Sequence, residues 1–146
     1  YIPYVIETSI GLDRMFLAIM CNSYKEEEIN DNEKRIVLSI PQFLAPIKLA
    51  ILPLTKKDGL SEMAKKIFND LKLEFNCCYE EKDSIGKRYR RQDAIGTPFC
   101  LTIDHQTLED DTCTLRYRDK MNQKRVKIKE VSEIIDKEVN LKNFIV

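Results

Sequence analysis

The feature that most constrains the fold is an apolar run followed by a strongly periodic segment. Residues Ile47 to Leu54 (IKLAILPL) have the length and character of a strand that is buried on both faces. Between Leu60 and Leu71 the apolar residues recur at i, i+3, i+4, i+7, i+8 and i+11, which predicts an amphipathic helix. The sequence therefore places a buried strand directly before a helix with one apolar face.

The rest of this region alternates between strand and helix signals. Further strands are predicted at Phe75 to Tyr79 and Pro98 to Asp104, and period-two alternation predicts two more at Thr112 to Arg118 and Arg125 to Lys129. Helices are predicted at Lys87 to Ala94 and from Val131 to Val139. This order predicts an α/β fold in which a mixed five-stranded sheet is flanked by helices.

The first forty residues form a separate unit in this interpretation. Residues Ile2 to Thr8 alternate as in a strand, and apolar residues at helical spacing follow from Leu12 onward. The stretch from Tyr24 to Arg35 (YKEEEINDNEKR) is almost wholly polar and predicts a solvated loop between two bodies. We therefore expect a strand-helix remnant of another domain with a linker at residues 1–40, and a main domain at residues 41–146.

Composition excludes several classes of protein. With 43% apolar and 33% charged residues, the chain is not low-complexity or disordered. Lysine plus arginine and aspartate plus glutamate number 24 each, so no global field attracts nucleic acid or an acidic membrane. The longest apolar stretch is too short to span a bilayer, which takes about 20 residues. We expect no membrane partner.

The cysteines and the single histidine predict neither a metal site nor a disulfide framework. Five cysteines, an odd number, include the adjacent Cys77 and Cys78 but no CxxC pair. We expect free thiols in a reducing cytosol, strand packing for Cys77 and Cys78, and an ordinary loop position for His105. Because the chain starts at Tyr1 without a methionine, we expect a piece of a longer protein.

Two stretches could bind phosphate or nucleic acid. The segment Lys82 to Arg91 (KDSIGKRYRR) gathers arginines around Tyr89, and Arg116 and Arg118 share one face of a strand. RNA binding and a merely solvated basic surface explain this charge equally well. At a predicted strand-to-helix junction, Arg14 could direct its guanidinium at a phosphate, although an exposed ion pair is its commoner use.

Taken together, these stretches resemble the C-terminal part of class II glycyl-tRNA synthetases. IPYVIETSIGLDRMFLAIM at Ile2 to Met20 is similar to the third signature motif, which ends the catalytic domain. The most specific match is SIGKRYRRQDAIGTPFCLTID at Ser84 to Asp104. Together with Leu44 to Leu54 and Thr114 to Val126 it looks like the anticodon-binding domain that follows the catalytic domain.

The resemblance implies a function for the full-length protein. It implies a cytoplasmic, homodimeric ligase that joins glycine to tRNA(Gly) and uses ATP with Mg²⁺. Arg14 would then be the catalytic residue that holds the ATP phosphates, while Glu7 and Ser9 would contact glycine. The residues implied to bind the anticodon are Arg88, Arg91, Asp93, Arg116 and Arg118.

The first two class II motifs do not occur in this chain, so we expect the chain alone to be inactive and to carry no cofactor. One alternative is a non-catalytic, synthetase-like nucleic-acid-binding subunit of the DNA polymerase accessory type. Another is a protein-interaction module whose basic segment is merely solvated. Glu7, Ser9, Gly11 and Arg14 favour the ligase, because an accessory subunit without catalysis needs no phosphate-directed arginine.

Overall fold

The computed structural model describes residues 1–30 and 33–145. The chain forms a two-stranded hairpin and a five-stranded sheet with helices on both faces. The strands are β1 (Tyr24–Asn30), β2 (Glu33–Leu38), β3 (Leu49–Pro53), β4 (Cys77–Tyr79), β5 (Phe99–Ile103), β6 (Thr112–Tyr117) and β7 (Gln123–Lys127). The α-helices are α1 (Leu12–Ser23), α2 (Leu60–Leu71), α3 (Ile85–Ile95), α4 (His105–Asp110) and α5 (Val131–Val139).

The large sheet is mixed, as the sequence predicts. Its strand order is β4-β3-β5-β6-β7. Strand β3 pairs in parallel with β4 and β5, whereas β6 runs antiparallel to both β5 and β7. The five strands predicted within residues 41–146 and the helices predicted over residues 60–71, 87–94 and 131–139 are confirmed.

The two faces of the sheet are covered differently. Helices α2 and α5 pack on one face in a large apolar cluster that includes Leu49, Ile51 and Leu101. The opposite face holds a much smaller apolar cluster of Ala50, Leu52 and Cys100, on which α3 packs. Most of the apolar burial that stabilises the domain is therefore on the α2 and α5 face, since stabilisation scales with the apolar area removed from water.

Two predictions for the first forty residues are wrong. Residues 2–8 form no strand; they are exposed and lack regular secondary structure, because no strand of the described residues lies beside them to complete a hydrogen-bond ladder. The stretch 24–35 is not a solvated loop but lies largely in the β1-β2 hairpin. Its β2 strand packs inward through Arg35 and Val37, each 1% exposed. Polarity patterns assign every arginine to the solvent-facing side, so they do not predict a strand with a buried arginine.

Helix α4 is also missed by the sequence. His105 is not in a loop but is the first residue of this short helix, and the Asp104 carboxylate caps it by accepting from the Thr107 N–H at 3.1 Å. Six residues are too few for helical periodicity to show. Cys77 and Cys78 lie on β4, where burial raises the pKa of Cys77 to about 12 and that of Cys78 to about 11. Both thiols are therefore protonated at neutral pH.

The C-cap of α3 brings this helix into close contact with the hairpin. Gly96 has φ +88, and a Cβ atom at this position would lie 3.0 Å from the Leu38 carbonyl oxygen. We expect Gly96→Ala to lower the free energy of unfolding by about 1–2 kcal/mol or more, because the left-handed backbone alone costs an alanine this much.

Urea unfolding measures this effect, and Gly86→Ala is the matched control. Gly86 lies within α3, and a Cβ atom there would meet nothing within 4 Å. The control should therefore be stabilised by about 0.5–1 kcal/mol, since alanine favours a helix interior. Equal stability of Gly96→Ala and wild type would show that neither the left-handed backbone nor the Leu38 carbonyl oxygen opposes a Cβ atom at this position.

Candidate nucleic-acid interface

The sheet has an open polar strip beside α3. On β6 and β7 the residues that face the α3 side are polar, and the strand register pairs them across the two strands. These pairs are Thr112 with Lys127, Thr114 with Arg125, and Arg116 with Gln123. Thr114 is half-buried, and Gln123 and Lys127 are exposed. Hydroxyl, amide and charged groups there form a surface at which a polar ligand can bind.

A pocket of about 260 Å³ lies where this strip meets α3. We call it the sheet-face pocket; its lining residues are Leu54, Ile85, Tyr89, Thr102, Asp104, Thr114 and Gln123. The apolar residues and the Tyr89 ring supply a surface for stacking. The hydroxyls, the amide and the carboxylate supply hydrogen-bond donors and acceptors. This mixture is typical of small sites that orient a ligand by a few polar contacts.

Two contacts fix the Tyr89 ring. Its hydroxyl lies 2.5 Å from the Thr102 Oγ1 atom, and the Arg116 guanidinium carbon lies 4.7 Å from the ring centroid. Burial raises the pKa of the Tyr89 hydroxyl, so the ring stays neutral. A ring held on one side by a cation and at its tip by a hydrogen bond is pre-organised, which lowers the entropy cost of stacking a ligand on it.

An ion pair closes the other side of the pocket. Arg125 donates to Asp104 from Nη1 to Oδ2 at 2.5 Å and from Nη2 to Oδ1 at 2.9 Å. The Arg125 guanidinium beside it holds the pKa of the Asp104 carboxyl below its usual value. Asp104 therefore presents a fixed acceptor, and the positive charge of Arg125 is offset within the site.

The predicted anticodon residues do not form an exposed cationic face. Four of the five are buried, with exposed fractions of 2% for Arg88, 0% for Asp93, 5% for Arg116 and 2% for Arg118. Arg116 pairs with Asp93, and Arg88 and Arg118 donate to carbonyl oxygens, whereas the buried Nε atom of Arg88 has no hydrogen-bond partner among the described residues. The structure therefore does not bring these arginines together on one solvent-facing surface, because charge patterning cannot show which arginines are paired within the fold.

Arg88 binds the carboxyl ends of two parallel strands. Its Nη1 donates to the carbonyl oxygens of Pro53 at 2.6 Å and Glu80 at 3.2 Å, and its Nη2 donates to that of Leu54 at 3.3 Å. Burial lowers the pKa of this guanidinium. Arg88 thus fastens α3 to the ends of β3 and β4, next to the pocket residue Leu54.

Asp93 is the centre of a buried ionic network. Arg116 donates to it in a bidentate arrangement, from Nη1 to Oδ1 at 2.8 Å and from Nη2 to Oδ2 at 2.9 Å. Arg35 from the hairpin donates to the same Oδ2 atom from Nε at 2.9 Å. Although burial opposes the charge on Arg116, its hydrogen bonds to Asp93 raise the pKa of the guanidinium. Arg118 donates to the carbonyl oxygens of Gly96 and Ile40, both at 2.8 Å.

Arg91 is the one member of the predicted set with a well-exposed side chain, at 42%. It is held by Glu80 and Asp83, with Nε 2.7 Å from the Glu80 Oε1 atom and Nη1 2.9 Å from the Asp83 Oδ2 atom. Hydrogen bonding to Glu80 raises the pKa of Arg91, so the side chain stays charged at the surface.

The residues predicted to contact glycine and ATP lie elsewhere. Glu7 and Ser9 are in the exposed N-terminal segment, and Arg14 is an exposed residue in the first turn of α1. None of the three lines the sheet-face pocket. The structure therefore separates the predicted phosphate-binding arginine from the candidate interface on the sheet.

Sequence reasoning missed Arg35, Asp104, Thr102, Thr114 and Gln123. Thr114 and Gln123 could have been identified from the sequence. TCTLRY and QKRVK each place polar residues at alternate positions, and these polar residues meet across β6 and β7. In residues 1–30 and 33–145 no group of three histidine, cysteine, aspartate or glutamate side chains could hold a metal ion. No helix among them is long and apolar enough to cross a membrane.

Comparison with known families gives this geometry a context. Residues 48–138 match the family described as "Anticodon binding domain". The chain belongs to this family. The matched range includes all five strands of the large sheet and excludes the β1-β2 hairpin.

Curated relatives are named glycine–tRNA ligase. The chain is 51% identical to that of Borreliella burgdorferi (strain ZS7), over 95% of this chain and 31% of the relative. It is 50% identical to that of Treponema denticola, over 99% of this chain and 32% of the relative. The chain thus spans about a third of the length of these relatives.

The fold has a solved counterpart. The RNA-binding domain of threonyl-tRNA synthetase from Cryptosporidium parvum Iowa II superimposes with a TM-score of 0.62 at 20% identity. The match covers 68% of this chain and 25% of that chain. It shows a shared fold.

The ionic network generates a stability prediction. We expect Asp93→Asn to lower the free energy of unfolding by about 3–5 kcal/mol, since it leaves Arg35 and Arg116 buried without their shared carboxylate. Arg91→Ala is the control, because breaking exposed pairs costs about 0–1 kcal/mol. Urea denaturation of both variants checks this; a small effect of Asp93→Asn would mean that water or another group already compensates the arginines.

Proposed function

We propose that this chain recognises the anticodon stem-loop of tRNA(Gly) as part of an ATP-dependent ligase that attaches glycine to this tRNA. The observation that carries the proposal is the sheet-face pocket within a domain that matches the anticodon-binding family. At about 260 Å³ the pocket is slightly smaller than the ~300–1,000 Å³ of sites for drug-sized molecules, which suits a single unpaired base.

The chemistry of the pocket fits a base from a single-stranded loop. Proteins read such loops by stacking unpaired bases on aromatic rings and by hydrogen bonds to the base edges. Tyr89 offers the ring, while Thr114, Gln123 and Asp104 offer edge contacts. Arg91 is exposed on α3, outside the lining of the pocket, and can contact the loop backbone.

We assign the other predicted anticodon residues an indirect role. Arg88, Asp93, Arg116 and Arg118 hold α3, β3, β6 and the hairpin in place by buried hydrogen bonds. They shape the pocket without touching the RNA.

For the whole ligase, the proposal rests on the resemblance and the relatives' names. Glu7 and Ser9 would contact glycine, and Arg14, in the first turn of α1, would offset charge on the ATP phosphates. No metal-holding cluster occurs in the part of the chain that the structure describes, so we assign Mg²⁺ no ligands here. The resemblance further implies a cytoplasmic homodimer. The relatives' names favour the ligase over an accessory subunit.

The first test is binding of RNA stem-loops by the 146-residue chain. We expect micromolar or weaker affinity for the tRNA(Gly) anticodon stem-loop, a steep loss with salt from the released counterions, and weaker binding when the anticodon is replaced. Tyr89→Leu should cost about 1–3 kcal/mol of binding, the usual worth of one stacked base. Gln123→Ala should reduce discrimination between the stem-loops more than affinity.

Tyr24→Leu is the matched control for Tyr89→Leu, because Tyr24 lies on β1 and does not line the pocket. Circular dichroism establishes that each variant is folded at the titration temperature. Equal binding by all four proteins, or binding indifferent to salt, would refute recognition through this pocket.

The second test concerns the full-length ligase. Arg14→Ala should lower the rate of glycine adenylation by on the order of 100-fold or more, because a preorganised charge on a developing anion is worth about 3–4 kcal/mol. Glycine affinity should fall less. Lys25→Ala, a loss of charge on the following strand, serves as the control in pyrophosphate exchange. Normal adenylation by Arg14→Ala would show that Arg14 is a surface residue with no role in adenylation.

A further inference from the structure

The β1-β2 hairpin inserts one arginine into the interior of the anticodon-binding domain. The Arg35 side chain is fully buried, although its strand lies outside the family match. Its guanidinium donates in three directions: to Asp93 Oδ2 at 2.9 Å, to the Arg118 carbonyl oxygen at 2.5 Å and to Glu27 Oε2 at 2.9 Å. Arg35 therefore joins the hairpin, α3 and the end of β6.

A continuous series of contacts runs from Arg35 to the sheet-face pocket. Arg35 and Arg116 both donate to the Oδ2 atom of Asp93. The Arg116 guanidinium in turn lies 4.7 Å from the Tyr89 ring centroid, and Tyr89 lines the pocket. Each contact in the series is direct, so a change in the position of Arg35 can reach the Tyr89 ring through Asp93 and Arg116.

The charges of this series are balanced only when Arg35 is present. Two carboxylates, Glu27 and Asp93, face two guanidiniums, Arg35 and Arg116. Because the Asp93 and Arg35 side chains are fully buried, water cannot replace a lost partner without opening the structure. A lysine could restore the charge but not the planar fork that reaches three acceptors at once.

We infer that Arg35 is a positioning residue for base recognition. It orients the Asp93 carboxylate, which sets the Arg116 guanidinium and thereby the Tyr89 ring on which an unpaired base stacks. The inference rests on the proposed function. It makes the hairpin a part of the RNA-recognition unit, although the hairpin lies outside the matched domain and none of its described residues lines the pocket.

The test compares Arg35→Lys and Arg35→Met with Lys34→Met in the 146-residue chain. Lys34 is the neighbouring position on β2 with a side chain that is 66% exposed, so the control removes the same charge from the same strand. The measured quantity is the ratio of affinities for the tRNA(Gly) stem-loop and the anticodon-replaced stem-loop, at a temperature where all variants are folded. We expect this ratio to fall at least about fivefold in both Arg35 variants, the lower end of usual coupling between sites, and to stay unchanged in the control.

A second readout distinguishes positioning from simple attachment of the hairpin. The NMR signals of the Arg116 guanidinium experience the ring current of Tyr89, and we expect them to move toward free-arginine values in the Arg35 variants. A double-mutant cycle of Arg35→Met with Tyr89→Leu should be non-additive, because the two changes act on one series of contacts. An attachment role alone would lower thermal stability while leaving the affinity ratio and the Arg116 signals as in wild type.

The outcomes separate this inference from the function on which it rests. If the wild-type chain does not distinguish the two stem-loops, the proposed function fails and the inference falls with it. If the wild type distinguishes them and Arg35→Lys does so equally, with unmoved Arg116 signals, the inference is overturned while the proposed function stands. A reduced ratio with displaced Arg116 signals supports both.

Discussion

The arrangement of this domain depends on one shared carboxylate. Asp93 accepts hydrogen bonds from arginines that come from two other parts of the chain, the hairpin strand β2 and the sheet strand β6. Because Asp93 itself lies on α3, a single buried side chain fixes the relative placement of three elements. Helix α3 packs on its face of the sheet over a cluster of only three buried apolar residues, so these ionic contacts add to a small area of apolar packing.

A buried ion pair is not automatically stabilising, since removing charges from water costs several kcal/mol for each ion. Here the network fixes the orientation of α3 relative to the sheet and the hairpin. Apolar side chains tolerate rotation and sliding against each other, whereas a bidentate arginine pair accepts one geometry. Most of the apolar burial is on the α2 and α5 face of the sheet, whereas the ionic contacts that orient α3 are on the α3 face. The sheet-face pocket lies on the α3 face.

The sequence alone predicts the large sheet well and the candidate site poorly, for one physical reason. Strand β3 and helices α2 and α5 follow apolar periodicity, which reports burial of apolar residues and little else. Arg35 is buried although it is charged, so apolar periodicity does not predict the hairpin that contains it. The resemblance selects the segments that contain Tyr89 and Arg116, but whether an arginine faces RNA or a buried aspartate depends on contacts between residues far apart in the chain. Exposed Arg91 and buried Arg88, three positions apart on α3, look alike in the sequence.

The link between Arg35 and Asp93 joins positions 58 residues apart, which orders the events of folding. A protein synthesised from its N-terminus presents the hairpin long before α3 and β6 exist. The hairpin strands are neighbours in sequence and can pair locally, but Arg35 has no buried acceptor until the chain has been extended past Arg116. The entropy lost in closing so long a loop is offset only when the sheet is already assembled and Arg35 can form its buried contacts. The hairpin strands, which leave the ribosome before those of the large sheet, are therefore among the last of these strands to reach their final position.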